Sequence, residues 1–214
     1  MAGHPPPVHR RRGARGLVRR AAHHLRPAPP HGPSDEGLGR VYGGDLFIRQ
    51  DSARWLYGWI SYTLLRSERL DPPGQPGAAF RPFRFDQNHI LTLVVGYHLP
   101  WDIDIGARFR YISGNPDTDL TTSGYDVTLD ANTGNYVPRP GPLFGTRLPD
   151  FVQLDLRIDK RFVFRSWILS VYLDAYNATN RANAEGSSYS FDYSRRAITR
   201  GLPIIPSFGV RGSY

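Results

Sequence analysis

Long stretches of strictly alternating apolar and polar residues are the feature that most constrains the fold of this chain. Between Val152 and Asp159 the two classes alternate without a break. A period of two places successive side chains on opposite faces of a β-strand. The same pattern predicts seven strands, at residues 41–49, 56–64, 89–99, 102–113, 151–162, 167–176 and 208–214. We therefore predict an all-β fold of about seven to eight long strands, with residues 124–133 or 189–196 as candidates for an eighth.

The clearest of these segments are longer than the strands of most soluble sheets. Soluble strands average about 5 to 6 residues, and residues 89–99, 102–113 and 151–162 are about twice that length. At about 3.3 Å per residue and a tilt near 45°, such a strand rises roughly 28 Å, the thickness of the hydrocarbon layer of a bilayer. The length favours a transmembrane barrel over a soluble sandwich.

The connections between the predicted strands alternate between short and long. Residues 50–54, 99–102 and 162–166 are short connections, whereas residues 67–84, 115–150 and 177–202 are long and rich in Gly, Pro, Asn and Asp. Outer-membrane barrels have short periplasmic turns and long external loops. Aromatic residues near the strand ends suit the interfacial girdles of such a barrel, although an ordinary β core is the alternative: Trp55, Tyr57, Tyr97, Trp101, Tyr111, Phe151, Phe162, Phe164 and Trp167.

Residues 1–38 form a separate leader rich in Arg, Pro and His, without any hydrophobic period. This composition predicts disorder. Residues 1–40 contain eight arginines against Asp35 and Glu36, so most of the net charge of +8 lies there. Nucleic-acid binding is an alternative function for this leader, but it has no aromatic residue on which a base could stack, and we predict no nucleic-acid partner. The leader also has no apolar stretch of signal-peptide length.

The sequence predicts no catalytic residue, no metal site and no cofactor. Cysteine is absent, which excludes thiol chemistry. His89 and His98 lie near opposite ends of one predicted strand and on opposite faces, so they do not form a shared site. The carboxylates of the strands alternate with arginines, which predicts paired charges facing a water-filled lumen rather than an acid and a base: Asp102, Asp104, Asp155 and Asp159, beside Arg108, Arg110 and Arg157.

Three further motifs have simpler interpretations than the functional ones that they suggest. Asn177-Ala-Thr fits the glycosylation sequon, but a turn is the better interpretation. The acidic residues of the second long connection lack the ligand spacing of a calcium loop: Asp117, Asp119, Asp126 and Asp130. The histidines of the leader have no supporting carboxylate at a ligand spacing: His4, His9, His23, His24 and His31.

Six stretches between residues 39 and 214 together resemble the C-terminal barrel of TonB-dependent receptors. They are YGGDLFIRQ from Tyr42, YGWISYTLLRSER from Tyr57, FDQNHILTLVVGYHLPWDIDIGARFRYISGNP from Phe85, RLPDFVQLDLRIDKRF from Arg147, SVYLDAYNATNRAN from Ser170 and GLPIIPSFGVRGSY from Gly201. The final strand, which ends in the aromatic Tyr214, resembles the signal by which the barrel-assembly machinery recognises such proteins.

The resemblance implies an antiparallel up-and-down meander within a barrel of about 22 strands in the bacterial outer membrane, closed around a plug domain. The family imports scarce nutrients such as siderophore-bound iron, cobalamin or glycans, and is driven by the TonB complex. External loops contact the ligand in this family, which points to residues 68–84, 115–149 and 178–201.

The expected partners are outer-membrane lipid, the remaining barrel and plug, the barrel-assembly machinery and, through N-terminal parts that this sequence lacks, the TonB complex. An odd number of strands predicts that residues 39–214 are a fragment of a receptor barrel, since a barrel that starts and ends in the periplasm has an even number. The alternative is a small autonomous outer-membrane barrel with a structural or adhesive role.

Overall fold

A computed structural model describes residues 37–53, 55–70, 78–120, 128–138 and 140–214 of the chain. The predictions for the leader up to residue 36, and for Asp126, lie outside these residues.

Fourteen strands form in the described part of the chain. They are β1 (Leu38–Ala53), β2 (Leu56–Leu70), β3 (Arg81–Pro82), β4 (His89–Leu99), β5 (Ile103–Ile112), β6 (Pro116–Asp117), β7 (Thr128–Asp130), β8 (Asn135–Val137), β9 (Thr146–Arg147), β10 (Phe151–Val163), β11 (Ile168–Tyr176), β12 (Ala184–Tyr189), β13 (Arg196–Arg200) and β14 (Ile205–Ser213). The seven long strands β1, β2, β4, β5, β10, β11 and β14 correspond one for one to the seven predicted from the alternation.

These seven strands form one antiparallel meander in the order β1-β2-β4-β5-β10-β11-β14, with the short strand β3 paired to β2. The all-β antiparallel prediction is therefore confirmed. The described parts of the two candidate regions for an eighth long strand do not join this sheet. Strand β7 pairs with β8, and β12 pairs with β13, in two separate hairpins. Strands β1 and β14 are the two edges of the sheet.

The hairpin of β1 and β2 extends beyond its predicted ends. The prediction stopped at Leu64, but pairing continues through Arg40 opposite Glu68 to Leu38 opposite Leu70. Strand pairing uses backbone groups, so it does not require side chains that alternate in polarity. The first three residues of the connection predicted at 68–84 therefore belong to β2.

Short and long connections lie at opposite ends of the meander, as predicted. Residues 54–55, 100–102 and 164–167 join strands at one end, the tight-turn end. Residues 71–88, 113–150 and 177–204 join strands at the other, the loop end, and contain the short strands. In the turn after β4, Trp101 and Asp102 both have positive φ, of 66° and 56°.

The cross-strand register unites the apolar sides of the seven strands into one continuous face. Ile105, for example, lies opposite both Tyr97 and Ile158. No large apolar side chain among the described residues is fully buried. Many on this face are more than a third exposed, including Leu93 at 40%, Leu156 at 42% and Leu173 at 54%. The sheet therefore has an apolar face and a polar face, without an apolar layer packed between them.

Among the described residues, no helix has the length and the apolar character required to cross a membrane.

Candidate functional site

The first and second long connections are fastened together at the loop end by a buried carboxylate. The Asp86 side chain is fully buried and accepts hydrogen bonds from the backbone N–H of Ser67 at 2.6 Å and from Asn88 Nδ2 at 3.1 Å. Arg147 Nη2 donates to it at 2.5 Å, while Arg147 Nη1 donates to the backbone carbonyls of Asp86 and Gly114 at 2.6 and 3.0 Å. A buried carboxylate is tolerated only with such partners, so Arg147 holds the two connections in one arrangement.

The second and third connections are joined by a similar set of contacts. Asp117 accepts hydrogen bonds from Arg196 Nη2 at 2.6 Å and from Ser187 Oγ at 2.8 Å. The Tyr189 hydroxyl accepts from the backbone N–H of Leu120 at 3.2 Å. These contacts fix the β12–β13 hairpin to the second connection. The three regions predicted to contact a ligand, residues 68–84, 115–149 and 178–201, lie at one end of the sheet. The guanidinium of Arg81 in the first region lies 5.4 Å from the centre of the Phe144 ring in the second, and Asp117 in the second bonds to Ser187 and Arg196 in the third.

Asn177 organises the start of the third connection. It is 1% exposed and has a left-handed backbone with φ of 52°. Its Nδ2 donates to the backbone carbonyls of Arg181 and Leu202, both at 3.0 Å, and its Oδ1 accepts from the Arg181 N–H at 3.1 Å. This geometry supports the turn interpretation of the Asn177-Ala-Thr motif, because the side-chain nitrogen of the folded chain is buried and already bonded.

The polar face carries a ladder of ion pairs across the central strands. Arg157 lies between two carboxylates, at 2.9 Å from Asp174 and 3.1 Å from Asp159. Asp155 pairs with Arg108 at 2.7 Å, and Asp104 pairs with Arg161 at 3.3 Å. The Asp104 carboxylate also contacts the His98 ring. The predicted pairing of strand carboxylates with arginines is confirmed for Asp104, Asp155 and Asp159. Asp102 lies in the turn before β5 instead.

Two tyrosine rings cover glycines on the same polar face. A Cβ on Gly96 would clash with the ring of Tyr57, and one on Gly209 would clash with the ring of Tyr172. A hollow of about 480 Å³ adjoins Tyr57 between Arg108 and Arg157. The glycines therefore make room for rings that lie flat against the sheet, and the polar face is lined by both charged and aromatic groups.

The predicted aromatic girdle is wrong for two of its residues, because the strand register places them on the polar face. Tyr57 lies opposite Gly96 and Phe151 lies opposite Ile112, and both positions belong to the polar face. There, the guanidinium of Arg110 lies 5.4 Å from the centre of the Phe151 ring. Their place near strand ends suggested an interfacial role, but the parity of each position sets the face on which the ring lies.

The two histidines of the sheet lie on different faces, as predicted. His98 contacts Asp104 on the polar face, whereas His89 Nδ1 is 2.8 Å from the Tyr62 hydroxyl on the apolar face. Among the described residues no three His, Asp or Glu side chains are grouped closely enough to hold a metal ion. Of the acidic residues considered for calcium, Asp117 is paired with Arg196 and Asp130 caps its own turn through Asn132 and Thr133.

Asp192 at the tip of the β12–β13 hairpin gives the site a testable acid titration. Its carboxylate accepts hydrogen bonds from Ser190 Oγ at 2.6 Å and Ser194 Oγ at 2.9 Å, and from the Ser194 N–H. These bonds lower the pKa of Asp192 to about 2. Because the folded pKa is depressed, the stabilisation is complete above the unfolded pKa near 3.8 and is lost as pH falls through about 2.

We expect a carboxyl-carbon NMR titration of the full chain in detergent micelles to give a midpoint for Asp192 of about 2. The double substitution Ser190→Ala and Ser194→Ala should raise this midpoint towards 3.8, because both hydroxyl donors are removed. A midpoint near 3.8 in the unaltered chain would contradict the hairpin-tip geometry.

Sequence reasoning did not identify Asp86 and Arg147 as partners, since nothing in either local pattern connects the two positions. Comparisons of this chain with protein-family models, curated proteins and solved structures give no match. The geometry of its two faces and of its loop end is therefore what supports a function.

Proposed function

We propose that residues 39–214 form part of the wall of an outer-membrane β-barrel of the TonB-dependent receptor type, whose role is the uptake of a scarce nutrient. One observation carries the proposal. The sheet exposes a continuous apolar face, with Leu156 at 42% and Leu173 at 54%, opposite a face of ion pairs. Apolar surface of this extent is unfavourable in water. In a barrel wall the apolar face would contact lipid on the outside, and the face of ion pairs would contact water on the inside.

Strand length is consistent with this setting. Strand β10 has 13 residues, which at about 3.3 Å per residue and a tilt near 45° correspond to roughly 30 Å. The hydrocarbon layer of a bilayer has about this thickness. Its apolar side chains would therefore match lipid over its full height.

Aromatic side chains lie near both ends of the apolar face, where a bilayer has its interfaces. Four lie on this face at the tight-turn end, namely Tyr97, Phe162, Phe164 and Trp167, and Trp55 and Trp101 lie in the tight turns themselves. Phe164 and Trp167 stack there at 4.6 Å. At the loop end the hydroxyls of Tyr62 and Tyr111 bond to His89 and Asp150. Rings with an apolar body and a polar tip prefer the headgroup level.

Lys160 is a cation on the apolar face, and its position is informative. It lies near the tight-turn end of β10, donates to the backbone carbonyl of Trp101, and has its ammonium 5.3 Å from the centre of the Phe162 ring. Lysines near the end of a spanning segment extend their head group to the interface while the stem stays in the apolar layer. The placement therefore agrees with an interface at the tight turns.

The direction of the edge strands favours a larger barrel over a small autonomous one. In an antiparallel meander of seven strands the first and the last, β1 and β14, run in the same direction. Closing this sheet on itself would join them as a parallel pair, whereas an odd number of further strands would allow antiparallel closure. The proposed partners are accordingly the remaining barrel and plug of a receptor, with the loop end facing the ligand outside the cell.

The proposal is tested by refolding the full chain with phosphatidylcholine vesicles that contain brominated acyl chains. We expect the tryptophan fluorescence to be quenched most strongly by bromines close to the headgroups, because Trp55, Trp101 and Trp167 lie at the tight turns. A folded chain that stays in the aqueous phase without quenching would contradict membrane insertion.

A second arm distinguishes the receptor segment from the autonomous barrel. The chain is refolded alone and together with the upstream barrel portion of a TonB-dependent receptor. We expect the chain alone to insert as an open sheet that is not heat-modifiable, and to form a protease-resistant, heat-modifiable complex only in the mixture. A protease-resistant, heat-modifiable monomer formed by the chain alone would favour the autonomous barrel instead.

A further inference from the structure

Two arginines lie side by side where the apolar face meets the loop end. Along the β1–β2 hairpin this face presents Ile48 beside Ile60, then Leu46 beside Tyr62. Beyond Leu64, the next two rows place Arg66 opposite Tyr42 and Arg40 opposite Glu68. The change from aliphatic to cationic side chains occurs within one continuous face.

A single buried carboxylate braces the two guanidinium groups. Arg40 Nε and Nη2 both lie 2.5 Å from Glu68 Oε2, and Arg66 Nε and Nη2 both lie 2.9 Å from Glu68 Oε1. The Glu68 side chain is 5% exposed, whereas Arg40 and Arg66 are 49% and 48% exposed. One carboxylate therefore fixes the position of two cations and leaves the cluster with a net charge of +1.

The bonding pattern leaves the outer parts of both guanidinium groups available. Each arginine binds Glu68 through the edge formed by Nε and Nη2, so its Nη1 points away from the carboxylate. The Arg40 guanidinium also lies 3.9 Å from the centre of the Phe80 ring, which restricts its movement further. Two positioned donor groups of this kind match the oxygens of a phosphate group.

We propose that Arg40 and Arg66, braced by Glu68, bind the phosphate monoester headgroup of a membrane lipid whose acyl chains lie on the adjoining apolar face. The inference rests on the proposed function, since it requires that face to contact lipid. Continuity with the apolar face favours a lipid phosphate over free phosphate, because a bound headgroup places its chains directly over Tyr42 and Leu64, which are 54% and 49% exposed.

The experiment uses the full chain reconstituted in phosphatidylcholine vesicles with and without phosphatidic acid, and native mass spectrometry of the extracted protein to measure retained lipid. We expect preferential retention of phosphatidic acid. The double substitution Arg40→Gln and Arg66→Gln should weaken this retention about thirtyfold, since each basic residue near a membrane surface contributes about fivefold.

The matched control is Arg49→Gln with Arg211→Gln, which removes the same charge from the two edge strands but on the polar face. Retention of phosphatidic acid should be unchanged in this control. Glu68→Gln distinguishes the effect of the arginines' positions from the effect of net charge. It makes the cluster more positive, but it weakens the hydrogen bonds that hold Arg40 and Arg66 in place. We expect Glu68→Gln to reduce retention. Increased retention would show simple charge attraction and would overturn the braced site.

Two further outcomes would overturn the inference. Equal retention by the unaltered chain and the Arg40→Gln, Arg66→Gln variant would exclude these arginines as the site. Displacement of the lipid by inorganic phosphate at an equal concentration would assign the site to free phosphate. Insertion into phosphatidylcholine alone is measured in parallel by bromine quenching. A chain that fails to insert there contradicts the proposed function, whereas a chain that inserts without preferring phosphatidic acid contradicts only the lipid site.

Discussion

Replacing Ile60 by Arg is expected to destabilise the chain inserted into vesicles by about 2–4 kcal/mol, because the proposed barrel wall would place this side chain against lipid at the middle of a strand. Ile60 lies halfway along the apolar part of β2, with Ile48 and Leu93 beside it on the neighbouring strands. The measurement is the free energy of unfolding of the full chain in phosphatidylcholine vesicles, followed by tryptophan fluorescence in urea.

The adjacent Ser61 provides the matched control. It lies on the polar face between Phe47 and Thr92, so Ser61→Arg places the same charge at the same height but on the opposite side. We expect its effect to stay within about 0.5 kcal/mol. Equal destabilisation by both substitutions would mean that the faces do not contact different solvents, and would contradict the proposed barrel wall.

Replacing Arg147 by Met will destabilise the chain by about 3 kcal/mol, because it leaves the fully buried Asp86 carboxylate without its cation. The value is at the low end of the range for a broken buried pair, since Arg147 is 32% exposed and water can reach part of the gap. The rate of hydrogen exchange at the backbone amides of residues 78–88 and 113–120 should increase at the same time. Unfolding free energy and exchange are both measured on the full chain in detergent micelles.

Two controls accompany this prediction. Arg181→Met removes a cation from the same end of the sheet whose contact with the Asp150 carbonyl is 3.5 Å long, and should change stability by less than about 0.5 kcal/mol. Adding Asp86→Asn to Arg147→Met should restore part of the loss, because the buried charge disappears while the amide oxygen still accepts from Ser67. A double variant less stable than Arg147→Met would contradict the buried-charge explanation.

The seven long strands and their faces were predictable because period two is a local property of the sequence. From Val152 to Asp159, each residue lies on the face that its polarity indicates, and the register only joins these faces across strands. Aromatic residues were less predictable. Tyr57 lies on the polar face although its ring is largely apolar. The ring fits there because Gly96 has no side chain and leaves space for it.

The contacts at the loop end were not predictable from local pattern. Arg147 and Asp86 are 61 positions apart, and Arg196 and Asp117 are 79 positions apart. The composition of the loops does not reveal either pair, because arginine and aspartate are common in all solvent-exposed connections. These pairs depend on how the meander brings three distant connections together, which only the tertiary structure specifies. The contact between Arg40 and Glu68 was also not predictable from local pattern. The two residues are neighbours because β1 and β2 continue to pair beyond their alternating segments.

A sheet whose described large apolar side chains all remain at least partly exposed has an unusual thermodynamic consequence. The heat capacity of unfolding of a water-soluble domain derives mainly from apolar groups that leave its interior and become hydrated. In the proposed setting, Leu93, Leu156 and Leu173 exchange water for acyl chains instead. Folding and partitioning into lipid would then be one event for this chain, and the thickness and composition of the bilayer would set its thermal stability more strongly than any contact within the protein.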